Sequence, residues 1–220
     1  MATATDIETP QDMPPVGEQR VLINGISYEL YKQICDEIGE QPVRLSFSDD
    51  CLEIMNTQPP HEFYKKVLAK LVEAIFFERD MRIRSGGAIT IRHDVKQKGF
   101  EPDECWWIAH EPNIRGKSTL DFRSDPPPDL AIEIEMSRSL VGRIGIYAAL
   151  GLPEVWRFDG KRLRFCLLST SGKYEDSESS LAFPFLKSAD LMPYLGPLDD
   201  PLDETSRIKA FVTWLRSQRQ

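Results

Sequence analysis

The sequence predicts a mixed α/β fold, with a central mixed sheet flanked by helices and an N-terminal helix and β-hairpin as an extension. Segments with helical spacing of apolar residues are interspersed along the chain with short strands, an order typical of mixed α/β proteins. The 220 residues, 41% of them hydrophobic, are enough for one well-packed domain. We therefore expect a disordered arm over residues 1–18, which are rich in Thr, Pro, Gln and acids, and a single domain over 19–220.

The expected helices share apolar residues that recur every three or four positions, and they cover residues 27–38, 61–78, 139–150 and 204–215. Gly39 and Gly151 follow the first and third of them, as glycine does at helix ends. The expected strands are short and rich in β-branched and aromatic residues, and they cover 43–47, 51–55, 81–85, 88–92, 101–109, 129–136, 155–158 and 162–168. Turn residues predict hairpins at 48–50, 86–87 and 159–160.

One expected strand carries acids where apolar residues belong. In the run 129–136, side chains alternate between faces, so Asp129, Ala131, Glu133 and Glu135 share one face. Packing three like charges together is unfavourable unless a cation neutralises them. The sequence therefore indicates either a metal-binding strand or an edge strand whose acidic face is solvated.

Composition limits the kind of protein and the kind of metal. The net charge of −8 argues against a general nucleic-acid coat protein but is compatible with a metal-dependent nuclease. Four scattered cysteines and three scattered histidines show no zinc spacing, so oxygen ligands and Mg²⁺ or Mn²⁺ are expected. The basic-leaning stretch over 79–98 is either a phosphate contact or a solvated hairpin. The absence of a long apolar run or signal peptide predicts a cytoplasmic protein.

Two separated acids suggest a reaction. Hydrolysis of a phosphodiester requires an activated water and neutralisation of charge on the phosphoryl oxygens, which metal ions held by carboxylates can supply. Asp103 begins one expected strand and Glu133 lies on another, while Glu62 in the first turn of a helix could add a third ligand. From spacing alone, a phosphatase or another hydrolase stays open. His61 either contacts phosphate or acts as a base, or else begins the helix and packs locally.

Six segments of the sequence match the pattern of a known family in order, and they are Cys51–Met55, His61-Glu62, Glu101–Asp103, Pro128–Glu133, Tyr147–Trp156 and Gly172–Tyr174. On these segments, the sequence resembles the Uma-two family of restriction-endonuclease-like proteins over about residues 20–195. The resemblance implies a PD-(D/E)xK nuclease core with a divalent-metal site, in which Asp103, Glu133 and Glu62 bind the metal. It also implies that Asp129 is a neighbour on the catalytic face.

The chain departs from the family pattern at the lysine. The motif position holds Glu135, and the position on the next helix, four residues before Tyr147, holds Arg143. Arginine keeps the positive charge but cannot accept a proton. One hypothesis is an endonuclease acting on nucleic acid, with DNA favoured and as a homodimer, in which Arg143 stabilises the phosphate. The alternative is a catalytically weakened or inactive protein that acts as a nucleic-acid or protein interaction module, in which Arg143 pairs with Glu133 or Glu135.

Overall fold

The computed structural model describes residues 19–39, 43–137, 139 and 141–218, and the predicted arm over 1–18 lies outside them. The strands within the described residues are β1 (Gln19–Asn24), β2 (Val43–Ser48), β3 (Cys51–Asn56), β4 (Arg84–Ser85), β5 (Ile91–His93), β6 (Lys98–Phe100), β7 (Glu104–Trp107), β8 (Leu130–Ile134), β9 (Glu154–Phe158), β10 (Leu163–Leu168) and β11 (Tyr174–Ser177). The helices are α1 (Tyr28–Ile38), α2 (Pro59–Glu78), α3 (Glu111–Ile114), α4 (Arg143–Leu150), α5 (Ser188–Leu195) and α6 (Glu204–Ser217), with a 3₁₀ turn at Asp94–Lys96. The predicted mixed α/β class is confirmed.

The first sheet is antiparallel, with the strand order β1-β3-β2-β6-β5. Helix α1 packs on it through Tyr28 and Tyr31, which contact Phe47 at ring-centroid distances of 5.7 and 5.0 Å. The predicted hairpin of β2 and β3 is confirmed. Its two-residue turn, Asp49-Asp50, has φ values of 53° and 58°, a left-handed conformation that Asp tolerates better than most residues.

The second sheet is mixed, with the order β11-β10-β9-β8-β7-β4, and β8 and β9 are its parallel pair. Strand β8 lies between two neighbours, and all five of its residues are buried. Its residues Leu130, Ile132 and Ile134 pack in the core formed with α2, α5 and α6, whereas Ala131 packs with α4. The predicted alternation is therefore confirmed, and the alternative of a solvated edge strand is wrong.

The predicted hairpin through Gly86-Gly87 is wrong, because its two strands belong to different sheets. Strand β4 pairs with β7 in the second sheet, and β5 pairs with β6 in the first. The chain crosses tightly at Gly86, where an added Cβ would lie 2.6 Å from the Cys105 sulfur and 2.8 Å from Trp107. Gly86 thus permits close packing against β7 rather than a reversal of the chain.

Two other predicted elements have shifted boundaries, each for a local reason. The expected strand over 101–109 begins only at Glu104, because Pro102 cannot donate to a strand ladder. The expected helix over 139–150 begins at Arg143, after Gly142 in a left-handed conformation with φ of 60°. The four cysteines are free, as predicted. Within the described residues, no helix is long and apolar enough to span a bilayer.

Candidate functional site

Asp103 and Glu133 face each other across β7 and β8. The register pairs Glu104 with Ile132, so continuing this antiparallel ladder by one residue places Asp103 opposite Glu133. The Asp103 amide donates to the Ile132 carbonyl at 3.2 Å, and Asp103 Oδ2 accepts the Ile134 amide at 2.7 Å. The two acids are only 0% and 1% exposed. Two strands of the second sheet thus hold a buried pair of carboxyl groups.

Each acid of this pair keeps one oxygen unsatisfied. Among the described residues, Asp103 Oδ1 and Glu133 Oε2 are buried and have no hydrogen-bond partner. The guanidinium of Arg44 is beyond hydrogen-bond distance, with its Nε 3.8 Å from Asp103 Oδ1. Burying carboxylate oxygens without partners is costly, and a bound cation relieves that cost.

Arg143 supplies the nearest fixed positive charge. It is 2% exposed, and its Nη2 donates to Glu133 Oε1 at 2.9 Å and to the Glu101 carbonyl at 2.7 Å. Arg143 is the first residue of α4, so the start of that helix sets the position of the guanidinium. Of the two pairings that the sequence left open, the structure shows the one with Glu133.

The pKa values of the two acids are shifted in opposite directions. Burial raises the pKa of Glu133 well above its ordinary value, and nearby Asp103 raises it further, although Arg143 opposes both. Burial alone would also raise the pKa of Asp103. His61, Arg143 and the amide of Ile134 outweigh burial and lower the pKa of Asp103. Such divergence is typical of carboxyl pairs that perform chemistry.

His61 lies between Asp103 and Glu62. It is fully buried in the first turn of α2, with Nε2 3.2 Å from Asp103 Oδ2 and Nδ1 3.6 Å from Glu62 Oε1. The Glu62 side chain is 40% exposed and pairs with Lys65 at 2.5 Å. Because the two acids face opposite ring nitrogens, the structure does not bring Glu62 into the carboxyl pair. Among the described residues, no three His, Cys, Asp or Glu side chains form a metal-binding group.

Asp129 lies at the other end of β8. Its Oδ2 accepts the amides of Ile108 and His110 at 2.6 and 2.9 Å, and its Oδ1 is 2.6 Å from His110 Nδ1. Glu133 is four positions further along the chain, which is about 13 Å along a strand. The structure thus keeps Asp129 apart from the pair and uses its carboxylate to hold the segment after β7.

Glu135 is likewise engaged elsewhere. Its two oxygens accept from Arg157 Nη2 and Nε at 2.6 and 3.2 Å, a bidentate pair between the end of β8 and β9. A guanidinium therefore neutralises the acid that stands at the motif position of lysine.

Several buried polar contacts near the candidate site were not predicted from the sequence. Glu53 on β3 is 1% exposed; it pairs with Arg20 at 2.8 Å and accepts from Ser139 at 3.1 Å. Arg20 also donates from Nε to Ser137 Oγ at 2.9 Å, which joins the first sheet to the segment after β8. A glutamate between apolar residues of a short strand was the available signal for Glu53. No local signal pointed to the contact of His61 with Asp103.

Three comparisons relate this chain to known proteins. The model of the Uma2 (Uma-two) family, described as "Putative restriction endonuclease", matches residues 28–196, well over half of the chain. A crystal structure of a putative nuclease belonging to DUF820 from Anabaena variabilis ATCC 29413 is similar with a TM-score of 0.50 and 14% identity. The similarity covers 86% of this chain and 99% of that chain, and it supports the restriction-endonuclease-like fold. No curated protein matches.

Proposed function

The chain belongs to the Uma2 family, and we propose on this basis that it is a divalent-metal-dependent endonuclease that hydrolyses phosphodiester bonds of nucleic acid. The observation that carries the proposal is the buried pair of Asp103 and Glu133, each with an unsatisfied oxygen. Stability alone does not account for such a pair, because replacing a whole buried ion pair with apolar residues of similar volume is often neutral or stabilising. It therefore supports a role in binding a cation.

The residues present fit Mg²⁺ or Mn²⁺. These ions take oxygen ligands, and Mg²⁺ is commonly held by one or two carboxylates, with water and substrate phosphate completing its shell. Asp103 and Glu133 would hold the ion through the oxygens that lack a hydrogen-bond partner among the described residues. When bound, the ion would activate water and neutralise charge on the phosphate. Glu62 is not among the proposed ligands, because it lies beyond His61.

The other polar groups prepare this pair. Contact with His61 and the Ile134 amide favours the charged form of Asp103 and restricts its orientation. Arg143 fixes one oxygen of Glu133 and brings a permanent positive charge to the place where a phosphate would lie. Since a guanidinium does not accept protons, Arg143 cannot serve as the general base.

A second function, an interaction module without cleavage, is favoured by one observation. Arg143 already neutralises Glu133 from inside the protein, so the fold balances part of its acidic charge without an added ion. In this alternative, the site would keep its shape and bind nucleic acid or a protein partner but would not hydrolyse. We also propose DNA as the substrate and a homodimer as the active form, since cutting two strands commonly uses two copies of one site.

The direct test is a cleavage assay. Plasmid DNA, single-stranded DNA and RNA are each incubated with the protein and Mg²⁺ or Mn²⁺. We expect cleavage that falls by about 10²-fold or more in Asp103→Asn, the size of effect typical for the loss of a catalytic group. Asp129→Asn is the matched control, because it makes the same change at the other Pro-Asp step and should retain cleavage while folded.

The alternative predicts a different set of results. No cleavage by the natural chain, together with cleavage by Arg143→Lys, would show a module whose site the arginine disables. Calorimetric titration adds an independent readout. If Mn²⁺ at millimolar concentration binds the natural chain and Asp103→Ala equally well, Asp103 is not a ligand and the endonuclease proposal fails.

A further inference from the structure

A row of charged side chains crosses the second sheet, starting at the carboxyl pair. The parallel register places Glu133 beside Arg157, and the antiparallel register places Arg157 beside Arg164. Side chains of directly paired residues project from the same face of a sheet. The row therefore runs from Asp103 and Glu133 to Arg157 and Arg164, along the face that also carries α4.

The far end of this row is a basic hairpin in an acidic protein. Residues 157–164 contain Arg157, Lys161, Arg162 and Arg164 but one acid, Asp159, whereas the whole chain has a net charge of −8. The Asp159 carboxylate accepts the backbone amides of Lys161 and Arg162 at 2.9 and 2.8 Å, so it shapes the turn. Lys161 and Arg162 are exposed, and Arg164 is partly exposed.

The positive charges of this hairpin are incompletely balanced. Arg157 pairs with Glu135. Within the described part of the chain, Arg162 and Arg164 form no ion pair at contact distance with an acid, and the nearby charge of Asp159 acts on both. On the neighbouring strand, Asp176 contacts Cys166 at 3.6 Å. Glu135 balances Arg157, so Arg164, directly opposite Arg157 in the register, is the cation of the row that is left for an outside anion.

The spacing of the row fits a nucleic-acid backbone. Two strand spacings, about 10 Å, separate Glu133 from Arg164. A nucleic-acid strand carries one phosphate for each nucleotide, so both ends of a row of this length can meet phosphates of one stretch of backbone. Phosphate at the carboxyl pair would therefore place a following phosphate near the hairpin.

The second half of the basic stretch over 79–98, which the sequence had suggested as a phosphate contact, has cations that are already engaged. Arg92 pairs with Asp36 at 2.8 Å, and Lys96 donates to the Ala149 carbonyl at 2.5 Å. Lys98 contacts Ser48 and lies 3.4 Å from Asp49.

We infer that Arg162 and Arg164, aided by Arg157, bind backbone phosphates of DNA next to the carboxyl pair. This inference rests on the proposed function, since it names the surface that would hold that site's substrate. It adds a binding surface whose contribution is electrostatic and independent of base sequence.

Binding is measured separately from cleavage. Fluorescence anisotropy of a labelled DNA duplex is followed in the Asp103→Asn background, which prevents loss of the probe, at several salt concentrations. Adding Arg164→Glu should weaken binding about tenfold or more. The double change Arg162→Gln and Arg164→Gln should lower the slope of log affinity against log salt by about two, one for each lost phosphate contact.

Lys209→Glu is the matched control, because it reverses the charge of an exposed side chain. Lys209 lies on α6, which packs on the opposite face of the sheet. Equal losses in Lys209→Glu and Arg164→Glu would overturn the inference, as would unchanged binding in the Arg164 variants. Circular dichroism checks that each variant is folded, and the neutral Gln variants guard against misfolding from charge reversal.

The outcomes separate this inference from the proposed function. Binding that depends on Arg164, without cleavage by the natural chain, supports the surface and refutes the endonuclease. Cleavage by the natural chain, with DNA binding that does not depend on Arg164, supports the endonuclease and refutes the phosphate-binding surface. Absence of binding to duplex DNA, with a single-stranded DNA or RNA probe bound through Arg164, would keep the phosphate surface but reject duplex DNA; no binding to any probe overturns both proposals.

Discussion

The two Pro-Asp steps of this chain look alike in sequence and differ in what their carboxylates do. Asp129 accepts two backbone amides and contacts His110, so its charge is satisfied by the segment it holds. Asp103 accepts one amide, contacts His61 and leaves one buried oxygen without a hydrogen-bond partner among the described residues. The difference shows that a motif acid becomes a functional candidate when the fold leaves part of its bonding capacity unused.

The two steps are also balanced by different means. Near Asp103, the opposing acid Glu133 relies on the buried guanidinium of Arg143. At Asp129, two neutral backbone amides and His110 stabilise the carboxylate. The region around Asp103 should therefore respond strongly to the loss of Arg143, and the region around Asp129 to the loss of hydrogen bonds.

The largest effect on stability is expected from Arg143→Met. This change leaves Glu133 buried without its ion-pair partner, and breaking a buried pair in this way costs about 3–5 kcal/mol. Urea denaturation of the metal-free protein measures the change in free energy of unfolding. Arg157→Met, which removes the partner of Glu135 from a pair whose side chains are 21% and 14% exposed, is the control and should cost less. Equal costs would mean that burial does not distinguish the two pairs.

A somewhat smaller effect is expected from Asp129→Ala. Two amides, of Ile108 and His110, lose a charged acceptor, and we expect a loss of about 2–3 kcal/mol. Asp103→Asn should cost less, because the side-chain amide oxygen can still accept from the Ile134 amide. The same denaturation experiment compares them. A greater loss in Asp103→Asn than in Asp129→Ala would reverse the division between a functional and a structural acid.

The smallest expected effect is a pH dependence of stability. The pKa of Glu133 is raised in the folded protein. Its contribution to the free energy of unfolding is therefore complete below the unfolded pKa of about 4.3, and this contribution is lost as pH rises through the folded pKa. The slope from one such proton is at most about 1.4 kcal/mol per pH unit. The lowered pKa of Asp103 acts oppositely, since its contribution is lost as pH falls.

Thermal melting of metal-free protein in buffers from pH 5 upward measures this dependence. Glu133→Gln should flatten the decline, whereas Glu135→Gln, at a neighbouring acid with a guanidinium partner, should leave it in place. A decline that survives Glu133→Gln would assign the proton to another group.

Much of the fold could be predicted because its signals are local. The alternation of Leu130, Ile132 and Ile134 against the opposite face is a property of any strand, and it located β8 correctly. The Gly86-Gly87 signal failed because glycine permits both a turn and a close crossing, and only packing against Cys105 decides between them.

The carboxyl pair could be anticipated only in part. Residue types and the family resemblance pointed to Asp103 and Glu133, which the fold does place opposite each other. The engagement of Asp129 by the amides of residues 108 and 110 depends on the path of a distant segment, which no local pattern specifies. The position of Glu62 beyond His61 likewise depends on how α2 docks against the sheet.

The contact of Arg20 with Ser137 has a practical consequence for trimming the protein. Arg20 lies on β1 and also pairs with Glu53 on β3. It therefore ties β1 to Ser137 in the segment after β8. An N-terminal deletion that extends past residue 19 would remove this tie. Shortened versions made for crystallisation or for fusion to another protein should therefore begin before Arg20.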